Sequence, residues 1–305
     1  MKTLAVLSGK GGTGKTTVAN ALIRLAGAKA YADCDVETPN LHLLSGAPPL
    51  REVFDYHGMD KAFIDDSLCT RCGLCEKHCR FHAVKREKRV YLIDSAACEG
   101  CGVCEYVCPA DAITMRPSKD GEVCLHQNKD TFVTARLRPG AATSGLLVTD
   151  VKERLETRTK EPMAILDGPA GIGCPVIATL ARVAMALLVA EPSVSGIGDL
   201  KRMAATAQGF GIPLAIIVNK HDMNASRTRE IRRYANEEGL FFAGMIPYDK
   251  RVVEALDKGG SILDVPGKTS RAVRKVGGTV LREFDKETKM DESTTKKHGP
   301  QRKEG

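Results

Sequence analysis

The sequence has no tryptophan, and its eight Phe and six Tyr make up only 5% of 305 residues. An aromatic-rich core is therefore excluded, and burial must rest on aliphatic side chains. At 43% hydrophobic residues the chain can still bury a core of one large or two modest domains. It also lacks any apolar run approaching the ~18 residues of a membrane span. The N-terminus has no charged-then-apolar secretion pattern, so the cytoplasm is the expected compartment. Acidic residues are slightly short, giving a net charge of +7. Much of that excess sits in the closing KKHGPQRKEG, which is weak grounds for a nucleic-acid or membrane partner, and neither is expected.

Cysteine is abundant, at eleven residues. In a cytoplasmic chain that number points to metal rather than to disulfides. Residues 69–79 read CTRCGLCEKHC and residues 98–108 read CEGCGVCEYVC. Both follow C-x₂-C-x₂-C-x₃-C, and each cysteine of the first row returns 29 residues later in the second. The doubled spacing is that of a two-cluster bacterial ferredoxin, whose soft thiolates suit [4Fe–4S] clusters; four-cysteine zinc sites are the weaker alternative. In that fold the fourth cysteine of each row serves the other cluster. One ligand set is then Cys69, Cys72, Cys75 and Cys108, and the other is Cys79, Cys98, Cys101 and Cys104. The first row departs from the pattern, with Arg80 where the second keeps Pro109.

Residues 8–17 read SGKGGTGKTT, between an apolar run, KTLAVL, and a helical one, TTVANALIRLA. The G-x-x-x-x-G-K-[ST] pattern spans Gly9 to Thr16. Gly9, Gly11, Gly12 and Gly14 allow backbone amides, with that of Thr13, to turn onto phosphates. Lys15 should reach the β/γ-phosphates, Thr16 should ligate Mg²⁺, and Thr17 continues the site. Lys10 makes this the deviant K-G-G-x-G-K-[ST] form. With that motif the chain resembles the MinD/ParA/Mrp group of P-loop ATPases. The resemblance implies ATP, a nucleotide-sandwich homodimer, and a Lys10 that reaches the partner's ATP. Read alone, residue 10 could equally be a solvated loop lysine.

The resemblance extends to ADCD, residues 32–35, where Asp35 would position the attacking water and Asp33 would support Mg²⁺ or the loop. It extends also to the strand end in ILDGPAGIGCP, where Asp167 would contact Mg²⁺ through water. Asn219, in VNKHD, would contact adenine. The same stretch reads N-K-x-D, which with Asp222 would suit guanine; the deviant loop favours ATP. Cys34 and Cys174 read as small buried-type residues, and Cys124 has no partner by spacing.

Mostly continuous apolar strands alternate with helices, which predicts a mostly parallel, doubly wound α/β sheet. The expected organisation is a P-loop ATPase domain over 1–60 and 118–287. An α+β bacterial-type ferredoxin module is inserted at 61–117, and a disordered polar tail occupies 288–305. Residues 270–287 place Val273, Val276, Val280 and Phe284 on one helical stripe, interrupted at Gly277-Gly278, more suited to closing a core than to reaching a membrane. The resemblance implies slow, dimer-dependent ATP hydrolysis, coupled first to electron transfer from the clusters to a redox client. A carrier delivering clusters or a metallocofactor to client proteins is the second expectation. A redox-sensing positioning ATPase is the third.

Overall fold

The computed structural model describes residues 1–44 and 46–297, with side chains described as far as residue 290. The chain begins with β1 (Lys2–Ser8), α1 (Lys15–Ala26), β2 (Ala30–Asp33), α2 (Leu41–Leu44) and β3 (Leu50–His57). A small unit follows: β4 (Lys61–Ile64), α3 (Leu74–His78), β5 (Val84–Glu87), β6 (Val90–Ile93), α4 (Val103–Tyr106) and β7 (Ile113–Arg116). Next come β8 (Lys119–Gln127), β9 (Thr131–Leu137), α5 (Ser144–Arg158), β10 (Met163–Ala170), α6 (Cys174–Leu180) and β11 (Met185–Ala190). The chain ends with α7 (Val194–Gly209), β12 (Leu214–Asn219), α8 (Ala225–Glu237), β13 (Phe241–Ile246), α9 (Arg251–Asp257) and α10 (Lys268–Lys297).

Among the described residues nine strands form one sheet, in the order β13-β12-β11-β1-β10-β2-β9-β8-β3. Neighbours from β13 to β9 are parallel. Residues 4–7, 164–167, 186–190 and 214–218 are buried, as strands covered on both faces must be. One face packs Val18, Leu22 and Ile23 of α1 with Val273, Val276, Val280 and Phe284 of α10. The other packs Leu147, Val151 and Leu155 of α5 with Val176, Leu200 and Ile231. Aliphatic side chains dominate both layers, as the aromatic-poor composition requires.

The edge hairpin β3–β8 was not expected. It is antiparallel, and β8 is also antiparallel to β9. Its signal was weak because β3 is largely exposed and carries Arg51, Glu52 and Asp55 among its apolar residues. Helix α10 also differs from expectation. It runs unbroken through Gly277-Gly278 and on to Lys297, so residues 288–297 are helical rather than disordered. The remaining 298–305 lie outside the described residues. A Cβ on Gly277 would lie 2.6 Å from Leu25 Cδ1, so glycine here permits close approach of α10 to α1. Among the described residues no helix is long and apolar enough to cross a membrane.

Between β3 and β8 the chain leaves the sheet. Strand β4 pairs antiparallel with β7, Lys61 opposite Arg116, and β5 with β6 forms a hairpin. Helix α3 packs on α4 and on β5. Ala62, Cys75, Ala83, Val84, Tyr91, Cys98 and Ile113 form a core separate from the two that flank the large sheet.

Candidate functional site

The loop after β1 turns through Gly12 (φ 78°) and Gly14 (φ 88°) before α1 begins at Lys15. Both lie in the left-handed region that disfavours side chains. At Gly14 a Cβ would also run into the Asn219 amide. The loop lines a cleft of about 720 Å³ with Ser8, residues 10–17, Asp35, Thr38 and Asn40. Leu256, Asp257 and Gly259 form the far wall, which sequence reasoning missed because their chain position is remote.

At the floor, Lys15 Nζ lies 2.9 Å from Asp167 Oδ1, 3.9 Å from Asp35 Oδ2 and 3.4 Å from Thr16 Oγ1. Burial disfavours the Lys15 charge, but Asp167, with Asp35 and Asp33, outweighs it and raises the lysine pKa. Complete burial pushes the Asp167 carboxyl up despite Lys15. Its Oδ2 is buried and finds no hydrogen-bond partner. A buried, unsatisfied carboxylate oxygen beside the Thr16 hydroxyl is the donor chemistry of Mg²⁺.

Asp33 is fully buried at the end of β2. Its Oδ1 accepts from the Asp35 N–H, and its Oδ2 accepts from the N–H groups of Asn40 and Leu41. This carboxylate is thus committed to shaping the loop. Burial first, then the charge of Asp167, pushes its pKa up to about 7. Asp35 faces the cleft and accepts from the Thr38 hydroxyl at 3.1 Å. Cys34, between the two aspartates, is fully buried, and burial pushes its thiol up to about 12. It is inert packing rather than a nucleophile. Cys174, read from the sequence as a buried-type residue, is instead exposed, because it opens α6 just after the Gly-rich loop, and Cys124 is half-buried on β8.

The end of β12 braces the phosphate loop. Asn219 Nδ2 donates to the Thr13 carbonyl at 2.7 Å, and its Oδ1 accepts from the Lys220 N–H. Lys220 Nζ donates to the Gly12 carbonyl at 2.9 Å. Asn219 thus contacts the loop, and Asp222 accepts from the Tyr248 N–H rather than facing the cleft. Lys220 was missed because N-K-x-D directs attention to the residues beside it.

Lys10 folds back onto its own chain. Its Nζ lies 3.4 Å from Glu191 Oε2 and donates to Ser193 Oγ at 3.1 Å and Ser195 Oγ at 3.4 Å. Glu191 also faces Lys220 at 3.9 Å. No sequence motif flagged Glu191; it becomes visible only when β11 ends beside the loop.

In the small unit all eight cysteines of the two rows are free thiols. Cys79, of the first row, lines one cavity with Cys98, Cys101 and Cys104 of the second. Cys69, Cys72 and Cys75 lie close enough for the first two to raise the Cys75 pKa further, after burial itself. Cys108 packs in the same core as Cys69 and Cys79. Backbone amides meet the two fourth cysteines, Ala83 N–H to Cys79 Sγ at 3.4 Å and Ala112 N–H to Cys108 Sγ at 3.3 Å. Gly73 and Gly102 start α3 and α4 with φ near 77° and 72°. Eight thiols with amide donors fit cluster chemistry. Among the described residues no group of three or more His, Cys, Asp or Glu is gathered tightly enough for one bare metal ion.

The two regions meet where Gly100 lies against Met59 and Asp60, and again along the stretch 137–140. Val36, beside Asp35, accepts from the Leu137 N–H at 2.8 Å, and the Arg138 N–H donates to Asp120. Gly140 lies against Ala96, close to the second cysteine row.

Comparison with known proteins agrees with this geometry. Residues 4–262 match the family described as the CobQ/CobB/MinD/ParA nucleotide binding domain. The chain is 33% identical over 233 residues to the uncharacterized protein MJ0578 of Methanocaldococcus jannaschii, covering 72% of this chain and 79% of that one. To MJ0579 of the same organism it is 29% identical over 292 residues, covering 86% and 92%. In structure it resembles the septum site-determining protein MinD complexed with Mg-ADP from Pyrococcus horikoshii (TM-score 0.51, 17% identity, covering 92% and 95%). It also resembles MinD in the MinC:MinD cell division complex of Aquifex aeolicus (TM-score 0.51, 16% identity, covering 92% and 96%).

Proposed function

Because the chain belongs to the CobQ/CobB/MinD/ParA nucleotide-binding family, we propose that it is a dimeric ATPase switch carrying two [4Fe–4S] clusters in a ferredoxin module at 61–117. In this reading, nucleotide state governs electron transfer to a redox client. The observation that carries it is the stretch 137–140. One end is hydrogen-bonded to the loop holding Asp35, and the other abuts the second cysteine row.

The loop amides of residues 9–16 and Lys15 hold the ATP phosphates. Thr16 and the unsatisfied oxygen of Asp167 would hold Mg²⁺, which would offset the phosphate charge. Binding there lets Lys15 turn from Asp167 toward the phosphates. Asp33 shapes the loop that carries Asp35, and Asp35 orients the attacking water. Asn219 keeps the loop closed beneath the nucleotide. Lys10 leaves Glu191 and reaches the partner subunit's γ-phosphate, so hydrolysis waits on dimerisation. Cys69, Cys72, Cys75 and Cys108 would hold one cluster and Cys79, Cys98, Cys101 and Cys104 the other, and the pair would supply one-electron storage. The likeness to MinD structures supports the fold of the nucleotide domain, and the Mg-ADP bound by the Pyrococcus horikoshii protein supports the choice of adenine nucleotide and Mg²⁺.

The test is hydrolysis by anaerobically purified protein with iron oxidised and then reduced, in wild type and Lys10→Ala. A redox-dependent wild-type rate with a dead variant of unchanged iron content is the expected result. A rate that ignores redox state would replace this reading with a carrier of clusters. The exposure of Cys72 and Cys101 favours that second reading.

A further inference from the structure

The small unit is electrically polar along its cysteine repeat. Residues 65–82, the counterpart of 94–111 around the first row, hold three Lys or Arg and three Asp or Glu, and the β5–β6 hairpin at 84–93 adds four Lys or Arg and one Glu. Residues 94–111, around the second row, hold four Asp or Glu and no Lys or Arg. The seven basic side chains are all exposed. Arg71 pairs with Asp66, and Arg86 lies over the Tyr91 ring. Lys77, Arg80, Lys85, Lys88 and Arg89 make no ion pair among the described residues. Arg80 stands where the second row has Pro109, so the departure from the ferredoxin pattern adds a cation to this group.

The two rows also differ in what they face. The second row abuts the nucleotide domain: Gly100 lies against Met59 and Asp60, and Ala96 lies against Gly140. The first row is built within the small unit, with α3 on β5 and the Tyr91 hydroxyl over Gly73. Cys72 is exposed there, beside Arg71, and Phe81 and Leu92 are exposed apolar groups on the same segment and hairpin. Unpaired cations, exposed apolar side chains and a solvent-facing cysteine on one short stretch of chain suit a transient redox contact. Such contacts are small and steered by opposite charge.

We propose that the first cysteine row, with the β5–β6 hairpin, is the docking surface for an acidic one-electron carrier protein. The second row exposes Cys101 and Tyr106 but carries four Asp or Glu and no Lys or Arg over 94–111, and does not take part. This rests on the ferredoxin reading of residues 61–117. It goes further by assigning the partner's charge and the row it meets. Nucleic acid and anionic lipid would also answer to cations, but neither accounts for an exposed cysteine, Cys72, next in sequence to Arg71.

The test measures binding, not turnover. Anaerobically purified, iron-loaded protein is titrated calorimetrically with an acidic plant-type [2Fe–2S] ferredoxin, both proteins oxidised. Binding should weaken steeply as salt rises from about 50 to about 300 mM. The variant K85E/R86E/K88E/R89E should lose about tenfold or more in affinity at low salt, with unchanged iron content and unchanged bleaching by dithionite. Neutralising the same four residues to Gln should give an intermediate loss. Salt-insensitive binding, or full affinity in the charge-reversed variant, would overturn the proposal. So would hairpin-dependent capture of duplex DNA or phosphatidylserine vesicles without ferredoxin binding. Wild-type protein that holds no iron would instead sink the ferredoxin reading itself, so the two failures are distinguishable.

Discussion

Replacing Glu191 by Gln should make the switch easier to close. Lys10 lies 3.4 Å from the Glu191 carboxylate, with side-chain exposures of 33% and 19%. At that separation Coulomb attraction is about 1 kcal/mol at the dielectric of water and about 5 kcal/mol at an effective dielectric of ~20. Lys10 is one-third in solvent, and measured exposed pairs fall at or below ~1 kcal/mol, so about 1 kcal/mol is the working figure. Gln keeps the side-chain shape and leaves Ser193 and Ser195 in place, so it removes the charge and little else. In the proposed dimer each protomer would release Lys10 before the lysine could act on its partner. A symmetric dimer breaks two such contacts, so its dissociation constant should fall about 25-fold, or about fivefold per protomer. The assay is sedimentation at saturating ATP analogue and Mg²⁺, together with hydrolysis rate against protein concentration. Saturating nucleotide matters because Glu191 also faces Lys220, which braces the phosphate loop at the Gly12 carbonyl. The difference should shrink in high salt. An unchanged dimer constant would refute the latch. A fall in turnover to the Lys10→Ala level would show instead that Glu191 holds Lys10 in its working position.

Other consequences can be checked with simpler measurements. The folded pKa of Asp33, raised to about 7, means the folded chain keeps a proton that the unfolded chain releases in the ordinary carboxylate range. Its contribution to stability is complete below that range and is lost as pH rises through about 7. Thermal melts of nucleotide-free protein should therefore show a destabilising trend between about pH 5 and about pH 8 that is reduced in Asp33→Asn; an identical trend would argue against it. Asn219→Ala leaves the Thr13 carbonyl unpaired and unbraced, and should cost about 1–3 kcal/mol of stability and weaken nucleotide binding; unchanged melting and titration curves would count against the brace. Cys79→Ser should remove about half the iron and deplete the cluster site formed with Cys98, Cys101 and Cys104 rather than the first row's own. Electron paramagnetic resonance of the reduced protein, compared with Cys72→Ser, separates the two sites.

The motifs legible in the sequence are those in which local spacing is itself the chemistry. The loop from Gly9 to Thr16 binds through its own backbone, so its glycines and Lys15 announce it. The two cysteine rows repeat at fixed intervals because each wraps closely on itself. The buried strands show as apolar runs because both faces are covered. The sequence was silent on the β3–β8 hairpin, whose exposed face dilutes the apolar pattern, and it misread Gly277 as a helix break. Whether glycine ends a helix or admits a neighbour depends on Leu25, which is remote in the chain. Tertiary structure alone decided what each charged side chain touches: Asp33 turned to its loop, Asn219 and Lys220 set under the phosphate loop, Lys10 held by Glu191. Those partners lie tens to hundreds of residues apart or across a turn, and short-range pairing energies act only once the sheet has ordered its strand ends. Residue type and spacing therefore set which chemistry is available, and the packing of distant strands set which groups are free to perform it.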